Sequence, residues 1–122
     1  MNDKEIVQYL ANILHVIYVA GTAKRVEERY INDVAKELGA RASHIARAFE
    51  YYISGDYTLS FPFRYSDQLR NFEDMIRAAI ADKKFEKVEQ TIIKASYQRL
   101  GLSKDQLKRI YEEAKRTTKV VT

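Results

Sequence analysis

A chain of 122 residues with 46% apolar residues, one Pro, four Gly and no Cys is sized for one domain around one core and is too apolar for a disordered segment. With no Cys, disulfide scaffolds, thiol catalysis and cysteine zinc sites are excluded. The net charge of +4 is uneven: residues 1–61 carry 7 basic and 8 acidic groups, residues 62–122 carry 14 and 9, so only the second half invites a polyanion.

The N-terminus, Met-Asn-Asp-Lys-Glu, lacks the basic start and apolar run of a secretory signal, and a cytoplasmic location is expected. Ile6, Leu10, Ile13, Leu14 and Ile17 then draw one stripe down a first helix, with Asn2 or Asp3 as its cap. Its most apolar stretch, Leu10 to Ala20, is far short of the roughly 20 residues that span a bilayer. Val26, Tyr30, Val34 and Leu38 mark a second helix that Gly39 ends, and Ile45, Phe49, Tyr52 and Ile53 a third. A linker over 55–66 follows. Leu69, Phe72, Ile76 and Ile80 predict a fourth helix, Phe85, Val88, Ile92 and Leu100 a fifth, and Leu107, Ile110, Tyr111 and Ala114 a sixth. Ser103 with Gln106 forms a capping box at the start of the last helix, and Leu102 can staple against Leu107. No segment reads as a strand, so the expected class is all-α, a single domain over 1–122.

Sliding the chain over itself by 62 residues aligns Ile13–Tyr51 with Met75–Glu113 without gaps. Identical pairs are Val26/Val88, Glu27/Glu89, Ile31/Ile93, Leu38/Leu100, Gly39/Gly101, Arg47/Arg109 and Glu50/Glu112, seven where chance would give roughly two or three. Residue classes agree elsewhere, as in Leu14/Ile76 and Phe49/Tyr111. The expected architecture is two three-helix repeats, about 3–54 and 67–117, packed around a shared core by a pseudo-twofold, because a unit of about 60 residues alone buries too little surface.

Three groups of residues invite a functional reading. The linker packs Tyr57, Phe61, Phe63 and Tyr65 and the only Pro into twelve positions. Such rings either dock a protein partner, since they offer large contact area at small entropic cost, or plug the open end between the repeats. Asp82, Glu86 and Glu89, at spacings four and three, with Glu27 as the repeat mate of Glu89, could hold a divalent cation such as Ca or Mg. The alternative is that these acids cap turns and occupy first helical turns, and Lys83, Lys84 and Lys87 dilute their charge. The basic residues of the second half could meet a nucleic acid, but Glu73, Asp74, Glu86, Glu89, Glu112 and Glu113 interrupt them as they would a solvated, salt-bridged face. His15, beside the first stripe, and His44, opening the third helix, lack metal-ligand spacing and read as buried or capping groups. No hydrolase elbow, P-loop or dinucleotide fingerprint is present, so a non-catalytic domain is expected.

The run Ala78-Ala79-Ile80-Ala81-Asp82-Lys83-Lys84-Phe85-Glu86-Lys87-Val88-Glu89, followed by Leu100-Gly101-Leu102-Ser103, resembles the TerB-like domain, as does the linker Ser54-Gly55-Asp56-Tyr57-Thr58-Leu59. That family comprises tellurite-resistance proteins and the N-terminal region of DjlA-type co-chaperones. The resemblance implies a duplicated all-helical fold, an acidic motif at Asp82 and Glu86 or Glu89, and a link to bacterial stress response. Here Lys83 stands at the motif's Gly and Ala20 at the Asp of the first repeat. Without a J-domain signature or membrane anchor, the co-chaperone role does not carry over.

Overall fold

The computed structural model describes residues 1–19, 25–81 and 87–118. Among them are six α-helices and no strand: α1 Asp3–Val19, α2 Arg25–Glu37, α3 Ala42–Ile53, α4 Tyr65–Ile80, α5 Lys87–Arg99 and α6 Lys104–Thr117. No described helix is long and apolar enough to cross a membrane.

α1 and α4 form the centre because each carries a wide apolar face. On α1, Tyr9, Leu10, Ile13, Leu14 and Val16 are all excluded from solvent, and on α4 so are Phe72, Met75, Ile76 and Ala79. An apolar face this wide has to be covered by several other elements. The two helices pack on each other, α1 also against α2, α3 and α5, and α4 also against α2, α5 and α6. Burying one such Leu or Ile contributes roughly 1.5–3 kcal/mol, a large share of the ~5–15 kcal/mol that holds a domain together. The peripheral helices are amphipathic and give less: α6 fully buries Ala114 and rests Leu107 and Ile110 on the core.

Helix ends follow local chemistry. Asn2 Oδ1 accepts the Glu5 amide at 2.8 Å while Glu5 Oε1 accepts the Asn2 amide at 3.3 Å, a capping box that starts α1. Asp3 is thereby released for another role, accepting from His44 Nε2 at 2.8 Å. His44, 3% exposed, also accepts the Arg41 amide on Nδ1 at 2.9 Å, so its ring is the neutral Nε2–H tautomer and caps α3. At α6 the expected Ser103–Gln106 box is present, with Gln106 N–H donating to Ser103 Oγ at 3.1 Å and Ser103 N–H to Gln106 Oε1 at 2.8 Å. Gly39 and Gly101 sit at φ +70° and +65°, each closing its helix: the Gly39 amide reaches Lys36 O and the Ala40 amide Ala35 O, as the Gly101 and Leu102 amides reach Gln98 O and Tyr97 O.

Two stripe assignments change. Ile53 is 76% exposed and Tyr111 faces solvent, because each follows a residue, Tyr52 or Ile110, that takes the inward direction, and successive helical side chains point about 100° apart. Phe85 lies outside the described residues.

Between the central helices runs a buried polar layer. The Tyr9 hydroxyl donates to Asp74 Oδ2, Arg77 Nη1 donates to Asp74 Oδ1 at 2.9 Å, and the Tyr30 hydroxyl donates to Asp74 O at 3.1 Å. Asn12 Nδ2 donates to Asn71 Oδ1 at 2.8 Å, and Asn71 Nδ2 to Tyr9 O at 3.2 Å. Burial first, and then the Asp74 charge, push the Tyr9 phenol well above its ordinary range, so it remains a donor. No buried side-chain polar atom among the described residues lacks a partner, the condition under which such a layer is tolerated in a core.

Candidate interaction surface

The linker is an extended strap whose side chains and carbonyls alternate. After Ile53, Gly55 at φ +87° turns the chain, with Ser54 Oγ accepting the Asp56 amide at 3.2 Å. Tyr57, Leu59 and Phe61 then rest on the core, and Pro62 is fully buried. In between, Gln8 Nε2 donates to Thr58 O at 2.9 Å, Asn12 Nδ2 to Ser60 O at 2.8 Å, and Gln68 Nε2 to Pro62 O at 2.9 Å. Every second carbonyl is held by a side-chain amide, while the intervening Leu59 and Phe61 pack inward. This is strand-like alternation without a partner strand.

Tyr57 is the anchor. Its ring lies 4.8 Å from that of His15, 5.4 Å from Tyr52 and 5.6 Å from Tyr51, and its hydroxyl donates to Asn12 Oδ1 at 2.9 Å. Tyr51 in turn accepts the Thr58 amide on its hydroxyl at 3.0 Å. Desolvation in this cluster raises the Tyr57 phenol and lowers His15, whose Nδ1 is 3.3 Å from the Tyr52 hydroxyl.

The four linker aromatics therefore divide. Tyr57 and Phe61 are half-buried and fasten the strap, whereas Phe63 is 93% exposed and Tyr65, the first residue of α4, 51% exposed. The backbone beneath the exposed pair is fixed. The Phe63 amide donates to Glu5 Oε2 at 2.8 Å, a bond that, with the Asn2 amide, holds the Glu5 carboxyl below its usual range. Gln68 spans Pro62 O and, at 3.4 Å, Phe63 O. With its backbone hydrogen-bonded on both sides, an apolar ring standing in water leaves mainly its own rotamers to be ordered on docking.

Two shallow grooves flank the strap. One, about 780 Å³, runs between α1 and α3 beside Gln8 and Tyr51; the other, about 760 Å³, runs between α4 and α6, starting at Ser66 next to Tyr65. Leu69 and Ile110 line the second with Arg70, Arg109, Glu112 and Glu113. A third, about 640 Å³, opens over Tyr30, Asp74 and Arg77, whose polar atoms are already spent on one another and on Thr117.

For the cation reading, Asp82 and Glu86 lie outside the described residues, as does the Glu27 side chain, while Glu89 on α5 is 4% exposed. Among the described residues no group of three or more His, Cys, Asp or Glu is placed to share a metal ion. His15 and His44 are engaged with Tyr52 and Asp3. The contacts of Gln8, Asn12, Asn71 and Asp74 are absent from the sequence reading. Their signal was polar residues inside otherwise apolar helical runs, which in a core require partners. Comparisons with protein-family models, curated proteins and solved structures find no match to this chain.

Proposed function

We propose that this chain is a non-catalytic, TerB-like helical interaction domain that engages a protein partner in the cytoplasm through Phe63 and Tyr65. The observation that carries the reading is Phe63, a large apolar side chain in water on backbone that Glu5 and Gln68 hold still. Solitary exposed hydrophobes are ordinary. A pair of aromatic rings at the end of a strap whose other rings are anchored is a directed feature, since aromatic anchors dominate interface energetics. A role in bacterial stress response, including tellurite resistance, follows only from the family resemblance.

The same proposal includes descent from one doubled three-helix unit. In its support, α1 and α4, and α3 and α6, begin 62 residues apart, at 3 and 65 and at 42 and 104. The two glycine closures follow the same spacing. So do the central hydrogen bonds: exchanging each residue for its mate turns the Tyr9–Asp74 pair into the Asn71–Asn12 pair.

The test is photo-crosslinking from position 63, with position 94 on exposed α5 surface and a Tyr65→Ala background as controls. A discrete protein adduct from position 63, lost in the Tyr65→Ala background and missing from position 94, supports the reading. Equal or absent labelling from both positions rejects it. A divalent-ion module at Glu27, Asp82, Glu86 and Glu89 is the second reading, and it rests on the acidic spacing in the sequence. Calcium or magnesium would then raise the melting temperature, since a ligand confined to the folded state must stabilise it.

A further inference from the structure

The described acids that interrupt the basic run of the second half are withdrawn from one of its faces. Glu73 and Asp74 pair with Arg77, Glu89 is buried, and Glu112 and Glu113 line the α4/α6 groove together with Arg109 and Arg116. Outside that groove α6 shows Lys104, Lys108, Tyr111 and Lys115, all exposed, at offsets 0, 4, 7 and 11 that put them on one stripe. Among the described residues no carboxylate lies within ion-pair distance of the three lysines. Asp105 is the one α6 acid left outside the groove, and it stands in the first turn, where it complements the helix dipole. In α3 the positions 62 residues earlier are Ala42, Ala46, Phe49 and Ile53, and all but Phe49 are exposed. Exposure at this stripe therefore does not itself call for cations.

We propose that this stripe binds single-stranded nucleic acid, its lysines taking phosphates and Tyr111 stacking on a base. Charge selects a polyanion. Residues 87–118 carry 8 basic and 4 acidic groups, and α5 adds exposed Lys87, Lys94 and Arg99 while burying its one acid, Glu89. The ring selects among polyanions. Tyr111, 37% exposed between lysines, offers the flat partner that an unstacked base requires and an acidic peptide does not. A membrane surface would instead need apolar side chains to insert, and those of α6, Leu107, Ile110 and Ala114, are turned onto the core. A duplex keeps its bases stacked on one another, so a protein ring finds a free base face only on a single strand. This surface shares no residue with Phe63 and Tyr65 and adds a second ligand to the protein contact made there.

The experiment uses the full chain and a fluorescein-labelled oligothymidylate of about 20 nucleotides, followed by anisotropy at several salt concentrations. Affinity should fall with salt, with a log–log slope of about −2 for three phosphates neutralised on a single strand. The Lys104→Gln/Lys108→Gln/Lys115→Gln variant, which keeps helix propensity at exposed positions, should lose about tenfold or more and flatten that slope. Lys4→Gln/Arg29→Gln/Lys36→Gln removes the same charge elsewhere and should cost less than about threefold. Tyr111→Leu should lose about fivefold or more at an unchanged slope, and Tyr111→Phe should recover the affinity. No binding up to about 100 μM at low salt, equal loss in the two triple variants, a neutral Tyr111→Leu, or equal affinity for a duplex of the same length overturns the proposal. Capture by phosphatidylserine vesicles without binding of the oligonucleotide assigns the stripe to a membrane surface and also overturns it. Crosslinking from position 63 reads the other surface, so a discrete protein adduct there beside a silent oligonucleotide assay leaves the protein contact standing and removes this inference alone.

Discussion

On α1, Gln8 and Asn12 meet the strap with neutral amides, and His15 joins Tyr51, Tyr52 and Tyr57 in a ring cluster over them. The positions 62 residues later on α4 are Arg70, Asp74 and Arg77, where Asp74 takes Tyr9 and Arg77 in place of a backbone carbonyl. The difference is one of donor count. An amide gives and accepts, so it can hold an extended backbone and a neighbouring side chain at once, as Asn12 does with Ser60, Asn71, Gln8 and Tyr57. A carboxylate only accepts, so Asp74 gathers donors and leaves its surroundings charged. The first half thereby fastens the strap through amides and aromatic packing, and the second spends its carboxylate on Tyr9 and Arg77.

The sharpest way to break this contrast is at Asp74. Replacing it with Ala leaves the Tyr9 hydroxyl and the Arg77 guanidinium without their acceptor, and a loss of about 3–5 kcal/mol in urea unfolding is expected. A loss below 1 kcal/mol, roughly the value of an exposed pair, would mean that the layer is not structural. Within the strap, Tyr57→Ala should cost about 2–3 kcal/mol from lost packing and the Asn12 bond, whereas Phe63→Ala should stay within about 0.5 kcal/mol. Equal costs would erase the division between anchoring and displayed rings. Gly39→Ala and Gly101→Ala meet no steric neighbour within 4 Å, so each should cost only the left-handed backbone strain, about 1 kcal/mol and nearly alike. A large inequality would separate the two closures.

The smallest effect is in pH. Burial depresses His15. The unfolded chain then takes up the proton first, so stability is complete above the unfolded pKa of roughly 6.5 and declines as pH falls through it toward the lower folded value. Thermal melts of the wild type and His15→Gln between about pH 7.5 and 5.5 should show a decline that the variant lacks. Parallel curves would place His15 in a more aqueous setting than its ring neighbours imply.

The helices and their ends were legible because each depends on a local rule: apolar residues at helical spacing, Gly39 and Gly101 at left-handed closures, and Ser103 with Gln106 at a cap. The strap was not recognised as strand-like, although Tyr57, Leu59 and Phe61 alternate with Thr58 and Ser60, because its partners are side chains of α1 and no second strand shares its pattern. The polar layer was illegible for another reason. Asn12 finds Asn71 across 59 positions of chain and Tyr9 finds Asp74 across 65, and nothing local selects those partners. For the candidate site, the sequence marked Tyr57, Phe61, Phe63 and Tyr65 together, and only tertiary packing separates the first two from the last two.

The central claim is that two related halves depend on each other through α1 and α4. It is tested most directly by producing residues 1–61 and 62–122 separately and following helical circular dichroism on heating, alone and mixed. Each fragment alone should lack a cooperative transition, and an equimolar mixture should recover one together with most of the helical signal of the intact chain. A cooperative melt in either fragment by itself would contradict the account.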